Sequence, residues 1–279
     1  MGNFSIKLDN EKIKKLKDTF RNDICINRNE YIDTFIQNDD VTISIYKNQK
    51  VVFQGKDAFF YASAYLDQKK YRHAGSDEVG TGDYFGPVVV CASIVEESDY
   101  AYLEKNGITD SKKMNDSDIL SLGPKLMEKF QYSLLILDNE KYNQVHEQNN
   151  LNMIKAKMHN QAYLNLIKKG YDLPKAAYID EFCKPYLYFE YLEGSKDIHR
   201  DVIFETKAEE KYPAVALSSV IARYVFLIKM KEMREKYGIA FHLGASQEVN
   251  QDAKAFISRY SRQRLKEVAK LHFSNTEKL

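Results

Sequence analysis

The residues of this chain best equipped for chemistry are carboxylates placed where apolar runs stop. Asp77 and Glu78 close the run AGSDE, Asp180 closes AAYID, and Glu209 and Glu210 stand between DVIFET and a long apolar segment. In an open α/β sheet the strand ends and the loops beyond them line the ligand crevice. Carboxylates gathered there repel one another: at roughly 4 Å and an effective dielectric of about 20, each like-charged pair costs about 4 kcal/mol. A cation offsets that repulsion, and hard oxygen donors without His or Cys clusters suit Mg²⁺ or Mn²⁺ better than Zn²⁺. Two such ions, about 3.5–4 Å apart, are the usual device for in-line cleavage of a phosphodiester. Spacing alone does not bring Asp77, Asp180 and Glu209 together, and Asp-Glu before Val-Gly also reads as a polar strand end entering a turn. Successive strand residues face opposite sides of a sheet, so Asp77 and Glu78 share a site only if the strand end twists or the longer Glu reaches around. Gly75 and Gly80 permit such distortion.

The elements that must position these acids follow from the pattern between them. A strand (AGSDE), a glycine-rich turn (VGTGDYFG) and an apolar strand (PVVVCASIV) come first, then a third strand at 132–138. A helical segment over about 139–169, broken near 148–150, precedes a fourth strand at 176–180 and a fifth at 201–206. A strong helix over 214–237 stops at Gly238, a common terminator. Three strands, then two, separated by helices describe a mixed five-stranded α/β sheet. Ahead of it lie a short strand at 4–8, a helix capped by Asn10, two β-rich runs split by a turn at 47–50, and the helical stretch KDAFFYASAYLDQKK. This unit carries no clustered acids, histidines or cysteines, and a polar run at Gln68–Arg72 marks a boundary. We therefore read residues 1–70 as a small α+β accessory domain and 71–279 as the α/β domain that holds the acids.

Composition bounds the remaining choices. The 279 residues are 44% hydrophobic and 29% charged, values for a globular chain rather than a disordered one. The charged start lacks the apolar core of a secretory signal, and no uninterrupted apolar stretch approaches the roughly 18–20 residues of a membrane span, so no membrane partner is expected. Cys25, Cys91 and Cys183 form no CxxC pair, which excludes a zinc ribbon and places the chain in a reducing, cytoplasmic setting. Net charge is 41 − 40 = +1, so any nucleic-acid binding must come from local patches. The runs 151–170 and 254–270 are rich in Lys and Arg, and taken alone each reads as a solvated helix face.

Motifs narrow the reading further. SDEVGTGDYFGPVVVCA at 76–92 resembles the opening motif of the ribonuclease HII/HIII family. TDSKKM at 109–114, YID at 178–180, KAEEKYPAVALSSVIAR at 207–223 and YGIAFHLGAS at 237–246 resemble its later motifs, in order. The resemblance implies a ribonuclease H-like fold and metal-dependent hydrolysis of RNA paired with DNA, leaving 3′-hydroxyl and 5′-phosphate ends. It makes Asp77, Glu78, Asp180 and Glu209 the ligands of two Mg²⁺ or Mn²⁺ ions, with Glu210 the alternative to Glu209. Gly80, Thr81 and Gly82 would bring backbone N–H groups to the sugar-phosphate and its 2′-hydroxyl, and Ser111 and Lys112 would contact phosphate. The Gly-Thr-Gly loop, the acid at 209 being Glu, and the added N-terminal domain point to the HIII branch. There that domain has a TATA-binding-protein-like fold and grips substrate. A monomer without an obligate protein partner is expected. The rival readings are HII-type cutting at embedded ribonucleotides and a non-catalytic hybrid-binding protein, and the filled acid positions argue against the latter.

Other residues are read as structural. Ser218 and Ser219 serve close packing, and Met153, Ile154, Met158 and Ile167 form a core stripe. His73, His146, His159, His199 and His272 lack ligand spacing and receive no role. Tyr46 and Phe53 would either stack on nucleic acid or pack the hairpin core.

Overall fold

The computed structural model describes residues 2–27, 29–55, 58–63, 65 and 70–279, which divide into two units, 1–69 and 70–279. The first unit contains β1 (Gly2–Lys7), α1 (Asn10–Thr19), β2 (Ile24–Cys25), β3 (Ile32–Gln37), β4 (Thr42–Tyr46), β5 (Lys50–Gly55) and α2 (Ala58–Ser63). Its antiparallel sheet has the order β1-β5-β4-β3-β2. Two expectations are corrected here. The cap of α1 is Asp9, whose carboxylate accepts from Lys12 N–H at 2.8 Å, rather than Asn10. The sequence IDTFIQ forms β3, which its polar Asp, Thr and Gln had hidden. Phe53 is fully buried with Leu16, Ile36, Ile43 and Val51, so it belongs to the core of this unit and has no face free to stack on nucleic acid. Much of the expected second helix beyond Ser63 lies outside the described residues.

The second unit runs β6 (His73–Val79), β7 (Val88–Val95), α3 (Tyr100–Lys105), α4 (Asp116–Lys129), β8 (Gln131–Leu137), α5 (Asn139–His146), α6 (Leu151–Lys168), β9 (Ala177–Asp180), α7 (Pro185–Tyr191), β10 (Ile203–Glu205), α8 (Ala208–Lys211), α9 (Pro213–Tyr237) and α10 (Gln247–Tyr260). Its sheet has the order β10-β9-β6-β7-β8, antiparallel across β6-β7-β8 and parallel across β6-β9-β10. This is the ribonuclease H-like mixed sheet.

The continuous apolar run of β7 is explained by burial on both faces. Val89, Cys91 and Val95 pack into the core built on α9 and α4, while Val88, Val90, Ala92 and Ile94 pack into the core built on α6. Helix α9 is long and apolar enough by composition to cross a membrane, and here it is the buried helix laid across β6 and β7. Its approach is close: a Cβ on Gly75 would fall 2.3 Å from the Val215 nitrogen. Gly75 is therefore required by the contact with α9, not by distortion of the strand. His73 fixes the start of α9 as well. Its Nε2 accepts from Ala214 N–H at 3.1 Å and its Nδ1 donates to the Tyr71 carbonyl at 2.9 Å, which defines a neutral ring. Burial lowers its pKa in the same sense.

The two basic runs are only partly solvated. Lys155 on α6 is 8% exposed and Lys270 is fully covered, whereas Ile167, expected in the core, is 46% exposed at the end of α6. Ile154 and Met158 do line the core.

Candidate active site

Strand pairing decides where the acids point. Asp77 lies opposite Cys91, whose side chain enters the core beneath α9, and Glu78 lies opposite Val90, whose side chain enters the core beneath α6. Directly paired residues share a face, so the two neighbouring acids look to opposite sides of the sheet. Ser76 pairs with Ile179 on β9, which sets Asp180 beside Asp77 on the α9 face. Glu209 arrives on α8, entered through Lys207 in the left-handed region at φ 54°, a strained conformation for a non-glycine residue. The Ala208 N–H donates to Asp180 Oδ1 at 2.9 Å and ties the start of α8 to the end of β9.

Asp77, Asp180 and Glu209, from three separate elements, line one cavity of about 210 Å³ together with Ser111, Lys112, Ser219, Val220 and Arg223. Of the expected site residues, Glu78, Gly80, Thr81 and Gly82 do not line it. The Glu78 carboxylate is held on the other face, with Oε1 2.5 Å from Lys155 Nζ and Oε2 2.9 Å from His159 Nε2. The glycines form the turn after β6. Gly80 has φ 93° and its Cβ would meet the Pro87 carbonyl at 2.2 Å, whereas among the described residues nothing beyond its chain neighbours lies within 4 Å of a Cβ built on Gly82. Asp83 pins this turn to the late loop by accepting from Gly244 N–H at 2.6 Å. Lys270 Nζ pins it to the C-terminal segment by donating to the carbonyls of Asp83 and Gly86 at 2.7 and 2.6 Å.

The electrostatics are those of crowded acids. Burial, then the charges of Glu78 and Asp180, push Asp77 well above the ordinary carboxylate range, against hydrogen bonds from Ser219 and from Glu78 N–H. Burial also raises Asp180, opposed by Ala208 N–H and assisted by Glu209 and Glu78. Burial would raise Glu78 too, but its bonds to His159 and Lys155 outweigh this and hold it to about 2. Lys112 Nζ sits 2.5 Å from Glu209 Oε1 and 2.8 Å from Glu210 Oε1, and those bonds raise its own pKa. Among the described residues, the second oxygen of Glu209, Oε2, is buried without a hydrogen-bond partner. A buried carboxylate oxygen left bare costs on the order of 1–3 kcal/mol or more unless something positive meets it.

Divalent cations fit this donor set. The cavity offers hard carboxylate oxygens and no His or Cys, its acids repel one another, and Glu209 Oε2 awaits a partner. Among the described residues, no three Asp, Glu, His or Cys side chains already converge as ligands of one ion. Glu78 is turned to α6, and Lys112 spans Glu209 and Glu210.

Four residues near the site receive no site role from sequence, Ser219 reading there as packing and His159 as lacking ligand spacing. Ser219 donates to Asp77, while Ser218, one residue and about 100° around the helix, donates to the Gly75 carbonyl at 2.8 Å and serves packing as expected. Arg223 joins α9 to the turn that carries Lys112, donating to the Met114 carbonyl at 3.2 Å and to Asp116 Oδ1 at 2.6 Å. Both Ser219 and Arg223 stand inside the motif KAEEKYPAVALSSVIAR, which was the available signal. Lys155 and His159 had none, because only the strand register brings Glu78 to them.

Known proteins resemble this chain in sequence and in fold. The family model described as Ribonuclease HII matches residues 74–276, and a model for a domain of unknown function matches residues 3–77. Ribonuclease HIII of Streptococcus mutans is 37% identical, covering 100% of this chain and 97% of the relative. Ribonuclease HIII of Bacillus pumilus is 38% identical over 85% of each chain. The crystal structure of Bst-RNase HIII in complex with Mn²⁺ superposes with a TM-score of 0.76 at 32% identity, covering 99% of this chain and 97% of that one. On this evidence the chain belongs to the ribonuclease HIII family of ribonuclease H enzymes.

Proposed function

We propose that the chain hydrolyses the RNA strand of RNA/DNA hybrids, with Asp77, Glu78, Asp180 and Glu209 as the acids of a metal-dependent site. The observation that carries this reading is the convergence of Asp77, Asp180 and Glu209 on one cavity that also holds Ser111 and Lys112. Mg²⁺ or Mn²⁺ ions held there would supply activation of the attacking water and neutralisation of the charge developing on the leaving oxygen. The protein's own groups do the rest. Lys112, on an exposed side chain beside the acids, provides a positive charge for a substrate phosphate. Gly82, with open space over its backbone, lets N–H groups of the turn approach a ribose and its 2′-hydroxyl. Ser219 and the Glu78 N–H hold the Asp77 carboxylate in place by donating to it.

The test is cleavage of a hybrid with a labelled RNA strand. Cleavage that needs Mg²⁺ or Mn²⁺ and leaves 3′-hydroxyl and 5′-phosphate ends is expected. Full activity in excess EDTA, or ends carrying a cyclic phosphate, would sink the proposal, since a cyclic end means attack by the 2′-hydroxyl.

A further inference from the structure

Glu78 is the acid whose surroundings need most explanation. It leaves β6 on the face away from the cavity, yet its charge still acts on Asp77 and Asp180 at the strand end, its side chain is only 12% exposed and both of its oxygens are bonded. The two partners come from one face of α6, four residues apart, which is the spacing that stacks side chains on consecutive turns. Lys155 meets Oε1, with its ammonium also 4.0 Å from the centre of the Phe182 ring. His159 is fully buried, stacked against Phe182 at 5.5 Å and 21°, and its Nε2 meets Oε2. Its other nitrogen, Nδ1, lies 2.6 Å from Ser76 Oγ, and that oxygen also lies 2.9 Å from the Cys91 carbonyl on β7. A chain of contacts therefore runs from the backbone of β7 through Ser76 and His159 to the Glu78 carboxylate.

We infer that His159 is a positioning residue for Glu78, fixing the orientation from which this carboxylate would serve the metal site. The inference rests on the metal-site reading proposed above. A carboxylate has about four lone-pair directions, and Lys155 and His159 occupy only part of them, so a bonded Glu78 retains capacity for a metal ion. Hydrogen-bond partners behind metal-binding carboxylates fix their orientation, and losing one typically costs about 10- to 100-fold in metal affinity. His159 is the better probe of the pair, because Asn and Gln can each replace one of its two ring nitrogens, and both are neutral.

The experiment is calorimetric titration of the full-length protein with Mn²⁺ alone, without nucleic acid, alongside thermal melts that establish folding. His159→Asn places its amide near the Nδ1 position, keeping a partner for Ser76 but withdrawing from Glu78. His159→Gln reaches the Nε2 position and keeps a donor for Glu78. His159→Asn should weaken Mn²⁺ binding about 10- to 100-fold, His159→Gln should recover most of it, and His159→Asn added to Glu78→Gln should cost nothing further. A His159→Asn protein that binds Mn²⁺ as tightly as the parent, while Glu78→Gln binds it weakly, overturns the positioning role and leaves the metal site standing. The opposite ranking of Asn and Gln overturns it too. Should Glu78→Gln itself bind Mn²⁺ normally, the placement of Glu78 in the site fails, and the inference fails with it. If His159→Asn does not fold, His159→Gln decides: Mn²⁺ binding weakened as much as by Glu78→Gln overturns the role.

Discussion

The Lys112 ammonium lies 2.5 Å from one Glu209 oxygen and bridges to Glu210 at 2.8 Å, joining the turn before α4 to α8. Its two partners differ in exposure: the Glu209 side chain is 11% exposed and faces the cavity, whereas Glu210 is 48% exposed and is not among the residues that line it. Glu209→Gln should therefore lower kcat by orders of magnitude, and Glu210→Gln by only a few-fold. Steady-state cleavage of a hybrid by the two variants checks this. The reverse ranking would move the fourth acid by one residue.

Asp77→Asn and Asp180→Asn should each abolish turnover while the far-ultraviolet spectrum and hybrid binding stay close to those of the parent. Each change keeps the shape of the side chain and removes one charge from a crowded set. Near-parental kcat in either variant would show that the site lies elsewhere.

The same crowding makes a stability prediction of opposite sign. In EDTA, Asp77→Asn should melt higher than the parent, because a buried carboxylate repelled by Glu78 and Asp180 has been replaced by a neutral group of similar shape. The gain should be about 2–4 °C for each kcal/mol of repulsion relieved. Mn²⁺ should raise the melting temperature of the parent by mass action and leave that of Asp77→Asn nearly unmoved. Scanning calorimetry with and without Mn²⁺ reads both effects, and a variant that melts lower in EDTA would contradict the account.

Lys270 gives the protein a pH dependence away from the acids. Burial lowers its pKa from 10.5 to about 7, with the charge of Asp83 opposing the shift. Below pH 7 the lysine is charged in both folded and unfolded chains, and the fold bears the full cost of burying that charge. Between about pH 7 and 10.5 the unfolded chain binds more protons, so this contribution to stability rises with pH. Relative to the parent, Lys270→Met should be least destabilised near pH 6.5 and progressively worse by pH 9.5, read as urea midpoints. A difference that does not change with pH would mean that Lys270 stays charged when buried.

Removing residues 1–69 should raise KM for hybrid sharply and change kcat much less. That unit carries no candidate catalytic acid, and a second binding surface on a short tether raises effective concentration without touching the reaction centre. Lys47 and Lys50 are exposed at the β4–β5 turn and available to phosphate, while Lys56 lies outside the described residues. The full-length protein should accordingly show the steeper salt dependence of binding. Equal KM values and equal salt slopes would assign the unit another task.

The sequence by itself displayed the five strands and the longest helices of the second unit, and carboxylates where its strands end. A fully apolar β7, the break between α5 and α6, and the Gly238 stop of α9 are local patterns, and local patterns are what a single chain displays. Ordered motifs around Asp77, Asp180 and Glu209 carried the family, because each joins a candidate site residue to the turn or helix entry that presents it. Less was legible in the first unit, where the half-polar β3 shows no apolar run and Asp9 competes with Asn10 for the cap. Only the tertiary structure decided which way each side chain looks. Whether Asp77 and Glu78 meet is a matter of strand register, and register placed Asp77 beneath α9 and Glu78 beneath α6. The same packing turned Lys155 and Lys270 from members of basic runs into buried groups with assigned partners, and His159 into the neighbour of an acid 81 positions away. Charge and spacing are written along the chain, but desolvation and contact depend on what folds over a residue, and that is set by segments distant in sequence.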